Sequence, residues 1–246
     1  MRRTTEWIRI PVFAAIFALA AGCSVNSNYV YKPTPAAAGV PKLQAKAAVL
    51  PFQDGTEDFT KRGSIFSDGQ YNLAKTGIGG TITAMPPEFW GKAFADELAA
   101  SGNFLAARFI YSPSELQDEG YLIDGTLKKV IYAATIDYPN ELLVSFKATR
   151  RSDNKVVWEK EVGKAWKARN AGSSQCGLGI QCEIDHLHGN WNKWMAAVLS
   201  EARADLVGTL ASLSESGTGA GAGAEPAGQP APESVDRTID KILKGK

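Results

Sequence analysis

An excess of charge of either sign is missing from this sequence. Its 27 basic residues face 26 acidic ones, for a formal net charge of +1, so it carries no electrostatic footprint for nucleic acid. Histidine is nearly absent, and the two present, His186 and His188, lie in one short stretch. That leaves no His-Glu-x-x-His zinc motif, and there is no Gly-x-Ser-x-Gly elbow for a serine nucleophile. Gly77-Ile78-Gly79-Gly80 meets Ile82 where the dinucleotide fingerprint needs its third glycine, and no Lys-Ser or Lys-Thr follows, which excludes nucleotide binding. Glu115, Asp118, Glu119 and Asp124 fall at expected turns and strand edges, where solvated charge is the common state of a carboxylate. No enzyme mechanism, cofactor or metal is expected. Cysteine is scarce too, with three in 246 residues. After Cys23 no apolar run reaches the length of a membrane-spanning helix.

What the sequence does have is a strongly patterned beginning. Arg2, Arg3 and Arg9 form a basic region, Ile10 to Leu19 is apolar but too short to span a bilayer, and small residues precede Cys23. The run Ala20-Ala21-Gly22-Cys23 resembles the lipobox of bacterial lipoprotein signals. That resemblance implies a signal peptide over 1–22, cleavage before Cys23, and acylation of Cys23 by diacylglycerol and a further fatty acid such as palmitate. Several buried acyl chains give the lasting attachment to a bilayer that one would not. Ser24, rather than Asp, follows the cysteine, which in such lipoproteins implies an outer-membrane address on the periplasmic side. Removing 22 residues takes away three of 27 basic and one of 26 acidic residues, leaving 24 against 25, a net charge of −1.

Residues 23–42 mix Pro, Ala and small polar groups without an apolar period, the composition of a lipidated flexible tether. Residues 214–233, with Gly217-Thr218-Gly219-Ala220-Gly221-Ala222 and three prolines, cannot bury enough surface to order themselves and are expected to be a disordered linker. Residues 234–246 carry Val235, Ile239, Ile242 and Leu243 at helical spacing behind Ser234 as a candidate cap. That is a short amphipathic segment that either docks or frays.

Between tether and linker, residues 43–213 make one domain of about 170 residues. Ala45 to Phe52 is a short apolar run expected to be a buried strand ending at Pro51. Pro87 and Glu88 suit a helix start, Trp90, Phe94 and Leu98 repeat on one helical face, and Ser101-Gly102-Asn103 ends it. Phe104 to Tyr111 reads as a strand and Pro113 to Leu116 as a turn or short helix. Tyr121 to Ala133 reads as a strand with Tyr121, Ile123, Leu127 and Ile131 on one face. Leu142–Arg151 and Lys155–Ala168 make a hairpin about Ser152-Asp153-Asn154. Trp191, Trp194, Met195, Val198, Ala202, Leu206, Leu210 and Leu213 form a long helical stripe. The order predicts an α+β two-layer sandwich, a mostly antiparallel sheet with helices on one face.

Lys46-Ala47-Ala48-Val49-Leu50-Pro51-Phe52-Gln53-Asp54-Gly55-Thr56 resembles the opening strand of a superfamily that includes the curli-secretion lipoproteins, the penicillin-binding-protein activator lipoproteins and the amino-terminal domain of TolB. Gly120-Tyr121-Leu122-Ile123-Asp124-Gly125-Thr126-Leu127 is similar to a later strand of the same domains. The two motifs fall within residues 45–130. The chain departs from that pattern over 53–85 and around Cys176 to His188, so no partner is carried over.

Two constellations remain. Cys176, Cys182, Glu183, Asp185, His186 and His188 offer a permissible zinc set on paper, but the spacing is unlike a zinc finger. An exported chain is expected to oxidise Cys176 and Cys182 to a disulfide, worth about 2 kcal/mol for so small a loop. The segment 53–85, rich in glycine and carrying Phe59, Phe66 and Tyr71, is either a partner-binding surface or an extra hairpin packed on the sheet. Sustained alternation of the kind a membrane barrel needs is lacking there. The function expected is that of a lipid-anchored, periplasm-facing accessory or adaptor lipoprotein that binds and assists another, unidentified envelope protein. The alternative is an oligomeric secretion-channel subunit like the curli-secretion lipoproteins.

Overall fold

The computed structural model describes residues 28–36, 39–56, 70–72, 85–133, 139–167, 176 and 179–218. By internal contacts the chain divides into a unit up to Leu210 and a second from Ala211 to Lys246. The described part of the second is the last stretch of a long helix that ends at Thr218.

The described elements are β1 (Lys46–Val49), β2 (Gln53–Asp54), β3 (Gln70–Asn72), α1 (Pro87–Ser101), β4 (Ala106–Phe109), a 3-10 turn (Pro113–Glu115), β5 (Tyr121–Ala133), β6 (Pro139–Arg150), β7 (Lys155–Lys167) and α2 (Ile180–Thr218). They make an α+β fold with one sheet in the order β4-β1-β5-β6-β7. The hairpin β6–β7 and its neighbour β5 are antiparallel. β1 is parallel to both β4 and β5, a pairing direction that requires the α1 crossover between β1 and β4. On its far side from β6, the long β5 is met in succession by β1, then β2, then β3.

The helix α1 forms where the sequence puts it. Pro87 stands at its first turn, Glu88 lies at the positive end of its dipole, and Gly102 ends it with a left-handed φ of 70° that glycine adopts without strain. Its repeat Trp90, Phe94 and Leu98 is fully buried. α1 crosses the sheet so closely that a Cβ on Gly91 would stand 2.1 Å from the Leu50 carbonyl oxygen. Phe94 packs on Phe146 of β6 at a ring distance of 4.9 Å. α2 lies over β7, where Trp166 stacks on Trp194 at 4.8 Å and Trp158 Nε1 donates to Asp205 at 2.7 Å. Trp90 and Trp191 bring the two helices together, 6.2 Å apart. Both helices therefore cover the same face of the sheet. The other face carries ion pairs between Lys147 and Asp124 and between Lys129 and Glu141, beside the half-buried Leu122 and Leu143.

Two local expectations are corrected. Ile131 does not share the core face of Ile123 and Leu127, because Lys128 is an extra residue that breaks the β5–β6 register. After it Val130, paired with Leu142 and wholly buried, takes the inward position. Part of the segment expected to be a free tether is instead docked: Tyr31 is 6% exposed.

Candidate functional site

The site begins with that docked segment. Residues 28–36 form a strap in the groove between α1 and α2. The two helices run in the same direction, since Trp90 meets Trp191 and, further along each, Glu97 meets Arg203. The strap follows them. Tyr29 Oη donates to Asn192 Oδ1 at 2.9 Å, the Lys32 amide donates to the same oxygen at 2.7 Å, and Asn192 Nδ2 donates back to the Lys32 carbonyl at 3.1 Å. Further on, Tyr31 Oη donates to Glu97 Oε2 at 2.7 Å and the Thr34 amide to the same atom at 2.8 Å. By Ala36 the strap has reached Gly102 at the end of α1, and Asn103 then holds the Pro41 carbonyl and the Leu43 amide.

Glu97 is the hub of this arrangement. Its carboxylate has no exposed surface, and its second oxygen accepts from Arg203 Nη1 at 3.0 Å. A buried carboxylate is tolerable only when paired and hydrogen-bonded, and here the strap supplies two of the donors. Burial, then the hydrogen bond and charge of Glu97, push the Tyr31 phenol far above its usual range. Burial alone does the same to Tyr29, whose ring meets His188 edge-on at 5.5 Å. Both tyrosines therefore stay protonated as donors.

A cleft lies on each side of the strap. The one toward α1 has a volume of about 300 Å³ and is lined by Val30, Tyr31, Pro86 and Phe89 with Lys92 and Asp96. Burial raises the Asp96 carboxyl, and Lys92 partly offsets the effect. Val30 is 72% exposed and Phe89 41%. The cleft toward α2, about 580 Å³, mixes Lys32, Gln181, Asp185 and Asn192 with the apolar parts of Tyr29 and Val30.

These clefts sit at one end of the molecule. Trp166, near the end of β7, meets Trp191 and Trp194 in the first half of α2, whereas Trp158 at the start of β7 meets Asp205 further along. The N-terminal halves of α1 and α2 therefore lie at the end where β5 and β7 finish and β6 begins. Tyr71 belongs to that end too, on β3 opposite Tyr132. So does the Cys176–Cys182 disulfide, which closes the approach to α2. Cys176, Cys182 and His186 could reach one metal ion, but the disulfide engages both sulfurs. The far end is different. There Arg151 Nη1 donates to the carbonyls of Gln117 and Glu119, both at 2.9 Å, Arg108 pairs with Glu119, and Lys46 pairs with Asp118.

Of the residues singled out from the sequence, Tyr71, Cys176 and Cys182 are thus brought to the end where the strap enters. Cys23, Phe59 and Phe66 lie outside the described residues, as do 1–22 and 219–246. Tyr29, Tyr31, Glu97, Asn192 and Arg203 were not anticipated. One signal was available: Glu97 falls on the same helical face as Trp90, Phe94 and Leu98, where a carboxylate demands a partner.

No family model and no curated protein matches the sequence. Among solved structures, the chain is similar to protein XCC0632 from Xanthomonas campestris, of family model DUF330. That match has a TM-score of 0.50 at 12% identity and covers 76% of this chain and 98% of that one. It is also similar to a PelC dodecamer from Paraburkholderia phytofirmans, with a TM-score of 0.39 at 16% identity, covering 73% and 94%. A third is lipoprotein GNA1162 from Neisseria meningitidis, with a TM-score of 0.31 at 9% identity, covering 58% and 96%. At such identities the first likeness establishes a shared fold.

Proposed function

We propose that this chain is a non-catalytic accessory protein of the cell envelope. It is acylated at Cys23, anchored in the outer membrane on its periplasmic side, and binds and assists another envelope protein. The observation that carries the reading is the basic region, short apolar run and small residues ending in Cys23. The strap supports it, because its buried polar groups hold chain to chain and fix where the N-terminal segment leaves the domain.

Mass spectrometry of the Cys23 peptide from envelope fractions should find the acylated form, and Cys23→Ser should release the protein from membranes. Used as bait on solubilised envelope, the full chain should recover a specific envelope protein. Replacing Phe59, Phe66 and Tyr71 together by Ala should abolish that recovery. Ring-shaped oligomers in detergent, with no partner, would replace the adaptor reading by the channel-subunit one.

A further inference from the structure

We propose that the end of the domain where α1 and α2 begin lies against the phospholipid surface, with Val30 and Phe89 in contact with the headgroup and upper acyl region. The inference rests on the reading of Cys23 as the acylated residue and adds an orientation to it.

The argument is one of reach. The strap is pinned from Tyr29 onward by bonds to Asn192 and Glu97, and it enters the groove at the helices' N-terminal end. Cys23 precedes Asn28 by five residues, and a fully extended chain spans at most about 3.6 Å per residue, so the two Cα atoms are within about 18 Å of each other. A free tether from Cys23 to Leu43 could have reached several times farther and left the domain to tumble. The docked strap removes that slack. The opposite end, marked by the β6–β7 turn, lies a strand-length away: β6 has 12 residues, about 40 Å at roughly 3.4 Å each. It is the wrong end for so short a lead.

The surface at the near end suits the contact. Val30 and Phe89, two of the six large apolar side chains exposed among the described residues, both line the α1 cleft. Lys32 and Lys92 line the clefts on either side of the strap, long enough to keep their ammonium groups among headgroups while their stems lie on the apolar patch. The far end exposes Leu105 and Val156, but these lie at different strands and its charged groups are tied to one another.

The test uses the full chain as isolated from the envelope, reconstituted in phosphatidylethanolamine–phosphatidylglycerol vesicles with and without brominated acyl chains. Three variants each add one tryptophan: Val30→Trp and Phe89→Trp at the near end, and Ser152→Trp in the far turn. Emission is read as the difference from the unsubstituted chain. Brominated lipid should remove roughly half of the emission added at positions 30 and 89, as for groups seated about 5–10 Å into the interface, and none of that added at 152. Acylated protein in which position 152 is quenched as much as 30 and 89, or in which none is quenched, overturns the orientation. Unmodified Cys23 in the same preparation, seen by mass, overturns the anchor itself and the orientation with it.

Discussion

Replacing Tyr31 by Phe removes one hydroxyl and keeps the ring. That hydroxyl sits 2.7 Å from Glu97 Oε2, between a side chain that is 6% exposed and one that is wholly buried. A hydrogen bond to an ionised partner contributes about 1.5–3 kcal/mol. The strap is a peripheral segment, so the loss is felt first in its local opening and only later in global unfolding. At about 1.4 kcal/mol per factor of ten, the opening constant rises about 10- to 150-fold. The Thr34 amide reports it directly, because it donates to the same carboxylate oxygen at 2.8 Å. Hydrogen exchange at Thr34 should accelerate by that factor. The Lys32 amide, held by Asn192, should follow if the strap opens as one piece, and the amides of β6 should not change. Glu97→Ala is a different perturbation. It leaves the Arg203 guanidinium, 18% exposed, without its carboxylate, and breaking such a pair costs about 3–5 kcal/mol. At about 2–4 °C per kcal/mol for a domain of this size, Tm should fall by roughly 6–20 °C. Unaltered Thr34 exchange in Tyr31→Phe would refute the reasoning, since the strap would then be held by something other than the Glu97 hub.

Other perturbations have equally definite outcomes. Gly91→Ala drives a Cβ to within 2.1 Å of the Leu50 carbonyl and should cost about 3 kcal/mol in urea unfolding. Gly208→Ala, exposed within α2 with nothing within 4 Å of the added Cβ, should instead stabilise by about 0.5–1 kcal/mol. The Glu119 carboxyl is held at about 2, below its ordinary 4.5, first by the hydrogen bond from Arg108 and also by the Gln117 amide. Because the folded value is the lower one, its stabilisation is complete above about 4.5 and is lost as the pH falls toward 2. Glu119→Gln should therefore flatten the stability profile across that window, as followed by unfolding midpoints against pH. Reducing the Cys176–Cys182 bridge should cost about 2 kcal/mol or less. The loss should show as faster exchange at the first turns of α2 and not in the β6–β7 hairpin.

The burial pattern made most of the fold legible. Trp90, Phe94 and Leu98 repeat because one helical face is buried, and Trp191 to Leu210 repeat for the same reason. Direction was less accessible: the side chains of β1 state that it is buried, while its parallel alignment to β4 and β5 depends on the α1 crossover. Ile131 was misplaced because strand parity survives only until a bulge, and nothing in the residues around Lys128 announces one. The strap was missed for a different reason. Its proline and alanine content is that of a linker, and it is held by two tyrosine hydroxyls, two amides and the side chains of Glu97 and Asn192, none of which leaves a period in the sequence. Of the proposed surface, Tyr71 alone can be located, on a strand of three residues.

The place of β1 also sets an order of events. Its two neighbours, β4 and β5, both lie later in the chain, so Ala47 must wait for Tyr121. The β5–β6–β7 meander closes through short separations and can form on its own, whereas inserting β1 requires a long loop to close against an entropy cost. A ribosome makes β1 first, and its backbone edges stay unpaired until about sixty more residues have brought β4 and about seventy-four have brought β5, the separations of its register partners. Mutations in β5–β7 should therefore slow folding, and those in β1 and the strap should mainly speed unfolding. Until β4 and β5 flank it, β1 is an apolar segment with two unpaired edges, the kind of stretch that aggregates when folding is slow.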